Sequence, residues 1–343
     1  MTTPPNSSGD KVAYRVSSEE AESPLPNSSG DIQSHSELVV GRLSALPPDF
    51  LAKKNIHPRD EFITFDEGPH IYTVHGELGY TSVTTFVHKH FPSFDSDRII
   101  ANILKSPRHK TDPTYKYYNQ TKEDIELAWE INRNQASGAG TKMHYDIECY
   151  YNELLVENDS TEFKYFQNFC KDFVDFPDGS EGGTPSHRDR GSPITTNFDG
   201  CKEPGEVRLK PYRTEWMVYY EEYKISGSID MIFENPDGTI QIYDWKRCKS
   251  IEYEAFGDSR AITPCISHMP DSNYWHYSIQ LNMYKMILEE KYGKKVTGLY
   301  LVCLHPDNPY KNYDRIEVPI LTEEIQELLS WWQETKNNIK ECH

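Results

Sequence analysis

The stretch that decides the fold is ISGSIDMIFENPDGTIQIYDWKRCK, residues 225–249. Two runs rich in β-branched and aromatic residues flank Asn235-Pro236-Asp237-Gly238. Such runs favour strands, and Asn-Pro and Asp-Gly dipeptides are strong turn signals. The segment is therefore predicted to form a β-hairpin.

The register of this hairpin depends on the centre of its turn. A centre at Asp237 places two acidic residues opposite each other with Cβ atoms about 5 Å apart, where like charges repel. A divalent cation would remove that repulsion, and an oxygen-rich ligand set suits Mg²⁺ or Mn²⁺. A shift of one residue in the turn would undo the pairing. The predicted facing pairs are Asp230 with Asp244, Ile232 with Ile242, and Ser228 with Lys246.

Lys246 follows Asp244 by two residues, so both side chains are expected on one face of the strand. Its ammonium group could orient or help deprotonate an attacking water and stabilise a pentacovalent phosphate. Glu215, in the preceding predicted strand, is either another carboxylate of this site, a structural hydrogen-bond partner, or half of a surface ion pair. An Asp-x-Lys triplet is common on strands, so its interpretation depends on the surrounding motifs.

An upstream segment, GAGTKMHYDIECYYN at 138–152, is predicted to begin a helix after Gly138 and Gly140. Glycine there would permit close approach of a phosphate or a neighbouring strand. His144 and Glu148 are four residues apart, so they share one face and offer an imidazole and a carboxylate. A solvated helix face is the commoner explanation of such a pair taken alone.

A downstream segment, SNYWHYSIQLNMYKMIL at 272–288, is also predicted to be helical. Gln280 and Tyr284 share one of its faces. An amphipathic helix that packs an aromatic stripe into a core would produce the same pattern.

Taken together and in this order, four motifs resemble those of the PD-(D/E)XK nuclease superfamily. Within it the chain is similar to the RecB-like exonuclease branch, which includes the mitochondrial genome maintenance exonuclease and enzymes of large DNA viruses. The resemblance covers about residues 75–305, and Ser82-Val83-Thr84 is similar to a segment that precedes the first motif in such enzymes. The four motifs are G-x-G-x3-H-x3-E (138–148), G-S-I-D (227–230), D-W-K (244–246) and Q-x3-Y (280–284).

The resemblance implies a role for each matching residue. The implied metal ligands are His144, Asp230 and Asp244. Lys246 would position the nucleophilic water, and Glu148 would assist the metal or the water. Gln280 and Tyr284 would hold the DNA backbone or brace the lysine. Ser82 and Thr84 are expected among the substrate-binding residues.

The predicted function is a DNA exonuclease that uses Mg²⁺ or Mn²⁺ to hydrolyse phosphodiester bonds, from single-stranded ends, in replication, repair or recombination. Alternatives are a structure-specific endonuclease or an RNA-cutting member of the same fold, and, in another class, a non-catalytic nucleic-acid-binding protein. DNA is the expected partner. No GxxxxGK[ST] motif is present, so unwinding would need a helicase or polymerase partner.

Seven scattered cysteines without a CxxC pair predict reduced thiols, not a zinc or iron–sulfur site.

The expected fold class is α/β, a restriction-endonuclease-like mixed sheet flanked by helices with an αβββαβ core. Residues 1–40 are rich in Ser, Pro and Glu and are predicted to be a disordered tail. Residues 41–343 are predicted to form the nuclease domain, with a flexible insertion at about 177–205.

The net charge of −18, from 36 basic and 54 acidic residues, does not by itself favour a nucleic-acid partner. Binding depends on local potential, and the basic clusters 105–110 and 246–249 could line a groove or be ordinary solvated surface.

No apolar run is long enough to span a membrane, and the start resembles neither a secretory signal nor a mitochondrial presequence. A location in the cytoplasm or nucleus is expected, without a membrane partner.

Overall fold

The computed structural model describes residues 47–174 and 208–341, with side chains as far as residue 337. The predicted tail at 1–40 and the predicted insertion at 177–205 lie outside these ranges. Cys201 and Cys342 lie outside them as well, and the five described cysteines are free thiols. No helix in the described ranges is long and apolar enough to cross a membrane.

Helices and strands alternate along the chain much as the sequence predicts. The helices are α1 Phe50–Lys54, α2 Val83–His88, α3 Ser96–Lys105, α4 Arg108–Thr111, α5 Lys122–Tyr151, α6 Thr161–Phe173, α7 Asn273–Lys291 and α8 Thr322–Glu341. The strands are β1 Ile63–Asp66, β2 Ile71–Val74, β3 Thr81–Ser82, β4 Lys210–Tyr220, β5 Ile225–Glu234, β6 Ile240–Lys246, β7 Val296–Cys303 and β8 Asp314–Glu317. Short 3-10 helices lie at Asp60–Phe62 and Pro264–Ile266. Elements α1, α4 and β3 have five residues or fewer, too short for a periodic sequence pattern.

A six-stranded mixed sheet forms the centre of the fold. Strands β4, β5 and β6 are antiparallel neighbours, β7 lies parallel to β6, and β8 closes that edge antiparallel to β7. Helix α7 connects β6 to β7, as a parallel crossover requires. The order α5, β4, β5, β6, α7, β7 confirms the predicted αβββαβ core and the mixed sheet flanked by helices.

Helices cover both faces of this sheet, and β6 shows how its alternating side chains divide between them. Ile240 and Ile242 belong to the core that includes α7, whereas Tyr243 and Trp245 belong to the core that includes α5 and α6. Asp244 occupies an even-numbered position, so it lies on the α7 side of the strand. The helix that carries Gln280 and Tyr284 therefore packs against the face that carries Asp244.

The β5–β6 register is the one that the hairpin turn predicts, but the ladder is shorter. Ile232 pairs with Ile242, and the last pair is Met231 with Tyr243. The predicted ladder pairings of Asp230 with Asp244 and of Ser228 with Lys246 are therefore wrong. The two strands diverge beyond this point, and each continues along a different neighbour: Ser228 pairs with Met217 of β4, and Lys246 pairs with Cys303 of β7.

Strand β5 is left with a gap along one edge. Strand β4 occupies its other edge, while β3 pairs with residues 225–226 and β6 with residues 231–234. Within the described ranges, residues 227–230 have no strand partner on this side. The G-S-I-D motif therefore lies at an opening in the sheet.

Helix α5 differs from the prediction, because it begins at Lys122 and runs for 30 residues instead of beginning after Gly140. Thr121 and Asp124 form a capping box at its start, and Gly138 and Gly140 lie in its interior. A Cβ atom built on either glycine would meet no protein atom of the described residues within 4 Å, so the predicted close approach of a neighbouring strand is wrong. The predicted approach of a phosphate stays a prediction. The helix tolerates both glycines because packing supports each half: Ile125 belongs to one core and Ile147 to another.

A continuous helix predicts that alanine is better than glycine at these positions. Gly138→Ala and Gly140→Ala should each raise the free energy of unfolding by about 0.5–1 kcal/mol, because alanine loses less backbone entropy in a helix. Gly238→Ala is the matched control and should be destabilising by about 1 kcal/mol, because Gly238 has a φ of 80° in the hairpin turn. Urea unfolding measures all three. Loss of stability at Gly138 or Gly140 would indicate that the helix breaks there.

Candidate metal centre

The opening beside residues 227–230 is bounded by a tyrosine ring from α7. A Cβ atom on Gly227 would lie 2.8 Å from both the hydroxyl oxygen and the Cε1 atom of Tyr284. Only glycine fits beneath the ring in this arrangement, which explains the glycine of the G-S-I-D motif. The tyrosine side chain itself is 3% exposed.

Three side chains from three elements converge next to this opening. His144 of α5, Glu215 of β4 and Asp230 of β5 each offer a ligand atom, and these atoms all lie within 4.8 Å of one another. The His144 Nδ1 atom is 3.5 Å from Asp230 Oδ2 and 3.8 Å from Glu215 Oε1. One imidazole nitrogen and two carboxylates form a donor set that suits a divalent cation.

The backbone of Trp245 orients two members of this triad. Its amide donates to Asp230 Oδ2 at 2.9 Å, and its carbonyl oxygen is 2.9 Å from His144 Nε2. Because a carbonyl only accepts, Nε2 is the protonated nitrogen of the neutral ring. In that neutral form the Nδ1 lone pair is available to a cation beside the carboxylates, whereas without a cation the raised pKa of His144 leaves a proton on Nδ1 as well. A backbone contact of this kind fixes the tautomer of metal-binding histidines.

Glu215 reaches the triad through an unusual backbone conformation. Its φ is 43°, although it lies inside β4. The ladder pairs Thr214 with Met231 and Trp216 with Ile229, and it omits the intervening pair of Glu215 with Asp230. Ser228 Oγ donates to Glu215 Oε2 at 2.9 Å. A left-handed glutamate costs about 1–2 kcal/mol, and such outliers cluster at functional sites.

Asp244 and Lys246 lie beside the triad. The Lys246 Nζ atom is 3.0 Å from Asp244 Oδ2, and Gln280 Nε2 is 3.5 Å from Asp244 Oδ1. The triad thus contains His144 and Asp230 of the predicted ligands, with Glu215 as its third member. Burial is the larger cause of the raised pKa of Asp230, and the nearby Asp244 carboxylate raises that pKa further. Its role as a ligand stays a prediction.

The geometry favours a bracing role for the Gln280 and Tyr284 pair. Gln280 approaches Asp244, and Tyr284, one helical turn further along α7, lies against Gly227. Both side chains are buried, at 8% and 3% exposure, so their contacts are with the protein. Of the two predicted roles, bracing the active-site residues agrees better with this burial than holding a DNA backbone.

Ser82 and Thr84 lie at the start of α2. The Ser82 hydroxyl caps the helix by accepting from the Thr85 amide at 3.0 Å, and it is 3.0 Å from Thr84 Oγ1. Ser82 pairs with Ser226, four residues before Asp230 on β5, which corresponds to about 13 Å of strand. Their role in binding substrate stays a prediction.

Burial and crowding change the protonation of three groups. Burial raises the pKa of Asp230, Asp244 raises it further, and the value is about 8. Burial and then Glu215 raise the pKa of Glu148 to about 7. Burial would lower the pKa of His144, but Asp230 and Glu215 together raise it to about 9. Without a cation, protons therefore compensate the clustered negative charge.

The two basic clusters differ in how far they are engaged with carboxylates. In the first, Arg108 pairs with Asp112 at 2.9 Å. In the second, Lys246 approaches Asp244, and the next two cations pair with carboxylates of other segments. Those pairs are Arg247 with Glu162 at 2.7 Å and Lys249 with Asp307 at 2.9 Å. The second cluster is therefore largely compensated by carboxylates, whereas Lys105 and Lys110 of the first cluster are exposed.

Comparison with known proteins adds little to this geometry. No family model and no curated protein matches the chain. Among solved structures, it is similar to a crystal structure from Eubacterium rectale described as a "Putative exonuclease", with 12% identity and a TM-score of 0.26 over 76% of this chain and 79% of that chain. A similarity at this level carries no functional argument, so the site must be judged on its own chemistry.

The triad predicts that the protein binds a divalent cation. Asp230→Asn and Glu215→Gln should each weaken Mn²⁺ binding at least tenfold, because each removes an anionic donor without changing the size of the side chain. Isothermal titration calorimetry measures the dissociation constant. Glu222→Gln is the control, since this side chain is 55% exposed and pairs with Lys291. Equal affinity of Glu215→Gln and the wild type would remove Glu215 from the ligand set.

The three raised pKa values predict how stability depends on pH in the metal-free protein. Because the folded protein binds more protons than the unfolded chain, the free energy of unfolding should fall as pH rises. Each group loses its contribution between its unfolded and its folded pKa. These pH ranges run from 3.8 to about 8 for Asp230, from 4.5 to about 7 for Glu148 and from 6.5 to about 9 for His144. Urea unfolding in EDTA between pH 5 and pH 9, at about one-unit steps, measures the slope.

Asp230→Asn should reduce this slope, because it removes one raised acid and the charge that raises the pKa of His144. Asp237→Asn is the control, since the pKa of this exposed turn residue is lowered and its contribution lies at acid pH. An unchanged slope in Asp230→Asn would contradict the protonation assigned to the site.

Proposed function

We propose that the protein is a divalent-metal-dependent nuclease of the PD-(D/E)XK type that hydrolyses phosphodiester bonds in DNA. The observation that supports it is the triad of His144, Glu215 and Asp230 beside the Asp244–Lys246 pair, at the point where β5 and β6 diverge. An imidazole, several carboxylates and one ammonium group next to a gap in a sheet suit phosphodiester hydrolysis better than nucleic-acid binding alone.

In this proposal His144, Glu215 and Asp230 hold Mg²⁺ or Mn²⁺, and Asp244 adds a carboxylate at the edge of the same group. The bound cation would supply Lewis-acid polarisation of a phosphate oxygen and a lower pKa for a bound water. Trp245 keeps the His144 Nδ1 lone pair available by accepting from Nε2. The Lys246 ammonium group orients the attacking water and stabilises the negative charge of the pentacovalent phosphate.

Glu148 has a separate role in proton transfer. It lies one helical turn beyond His144, and burial and Glu215 raise its pKa to about 7. A carboxyl group with a pKa near the working pH can accept a proton and release it again. We therefore propose that Glu148 accepts the proton that the attacking water loses, either directly or through a second water.

Attack at free DNA ends, single-stranded ends in particular, is the part of the proposal that depends on the family resemblance. The site chemistry does not distinguish DNA from RNA, or an end from an internal bond. A structure-specific endonuclease or an RNA-cutting enzyme would use the same residues. The substrate panel below separates these activities.

The test compares labelled linear single-stranded DNA, linear duplex, closed single-stranded circles and RNA, each with Mg²⁺, Mn²⁺ or EDTA. Linear DNA should be degraded only with metal, and circles should survive. Lys246→Ala should lower kcat at least 100-fold, the usual effect of losing one group that stabilises the transition state. Lys249→Ala is the matched control, because this lysine is 55% exposed and pairs with Asp307 on the surface. It should cut at the wild-type rate.

Each other result has a defined meaning. Cutting in EDTA, or full activity of Lys246→Ala, would contradict the mechanism. Cutting of circles would make the protein an endonuclease, and a preference for RNA would change the substrate class. Binding of DNA without products under all conditions would favour the non-catalytic alternative.

A further inference from the structure

One aromatic side chain next to the candidate site has no role in the mechanism above. Tyr277 lies in the first half of α7, and the Lys246 Nζ atom is 4.2 Å from the centroid of its ring. This separation is well within the range of about 6 Å in which an ammonium group and an aromatic face attract each other. Asp244 Oδ2 contacts the same ammonium group at 3.0 Å.

The burial of Tyr277 points to its ring as the functional part. The side chain is 8% exposed, and its buried hydroxyl makes no hydrogen bond within the described ranges. An orphaned buried hydroxyl is destabilising, so hydrogen bonding does not explain a tyrosine at this position. What the residue supplies to its surroundings is an aromatic face.

A flexible lysine benefits from such a face. Its four side-chain torsions leave the ammonium group free to take many positions unless contacts restrict it. The Lys246 side chain is only 15% exposed, and a cation–π attraction strengthens as water is excluded. The Asp244 carboxylate attracts the charge without limiting the direction of approach, whereas a ring also blocks part of the space.

The position of Tyr277 on α7 connects it to the residues that brace the site. Tyr277, Gln280 and Tyr284 are spaced three and four residues apart, so they follow one face of the helix. Gln280 approaches Asp244 and Tyr284 covers Gly227. One face of α7 therefore contacts the Asp244 carboxylate, the Lys246 ammonium group and Gly227 of β5.

We propose that Tyr277 is a positioning residue that holds the Lys246 ammonium group beside Asp244 through the face of its ring. The consequence for catalysis rests on the nuclease activity proposed above. The contact itself does not, since it can be measured in a protein without any activity. Tyr277→Phe keeps the ring and removes the orphaned hydroxyl, and Tyr277→Leu removes the ring.

The kinetic test measures kcat and KM on linear DNA for the wild type and both variants. Tyr277→Phe should retain kcat within about twofold. Tyr277→Leu should lower kcat about tenfold, the effect expected when a partly buried cation–π contact of this size is lost. KM should stay unchanged, because a buried ring does not touch the substrate. Thermal unfolding of each variant monitors folding.

A second measurement is independent of turnover. In protein labelled with ¹³C at the lysine ε-carbons, the Lys246 signal, assigned with Lys246→Arg, should show an upfield ring-current shift. This shift should persist in Tyr277→Phe and disappear in Tyr277→Leu. If the wild type does not cut nucleic acid, the nuclease proposal fails while the ring-current result still tests the contact.

Three results would overturn the proposal. One is a kcat of Tyr277→Leu equal to that of the wild type. Another is an equal loss of kcat in Tyr277→Phe and Tyr277→Leu, which would assign the effect to the hydroxyl. The last is an unshifted Lys246 signal in the folded wild-type protein.

Discussion

The fold brings several carboxylates together, and their mutual repulsion is the constraint on which the site depends. Asp230 and Glu215 lie on adjacent strands, Asp244 follows where the β5–β6 ladder ends, and Glu148 approaches from α5. Like charges this close are costly when partly buried. In the free protein, raised pKa values let protons compensate the charge. A divalent cation would replace those protons, so its binding is tied to their release.

The divergence of β5 and β6 makes this crowding possible. A continuous ladder would have extended backbone pairing past Asp230 and Asp244. Instead, the Asp230 side chain accepts the Trp245 amide, and the carbonyl of the same residue contacts His144. The backbone of Trp245 thus replaces the missing ladder bonds and orients His144 and Asp230, two of the three triad members. The end of regular pairing is therefore also the feature that positions the site.

Helix α7 supports this irregular region from the face of the sheet that carries Asp244. Its burial on the sheet makes it a stable platform, and Tyr277, Gln280 and Tyr284 extend from it to the ends of two strands. Most of these contacts do not reach solvent. The groups of the candidate site are thus held by largely buried side chains, an arrangement that fixes the geometry of a site.

The sequence by itself determined the αβββαβ order, the hairpin register and the side-chain faces of β6, because turn residues and alternating apolar positions act locally. It left the role of Glu215 open, because a glutamate gives no local sign of a positive φ. The two glycines of α5 suggested a break, but packing of both helix halves outweighed their cost. The divergence of β5 from β6, and with it the triad of His144, Glu215 and Asp230, was decided only by the tertiary structure, because β3, which pairs with the start of β5, and β7, which pairs with β6, come from distant parts of the chain.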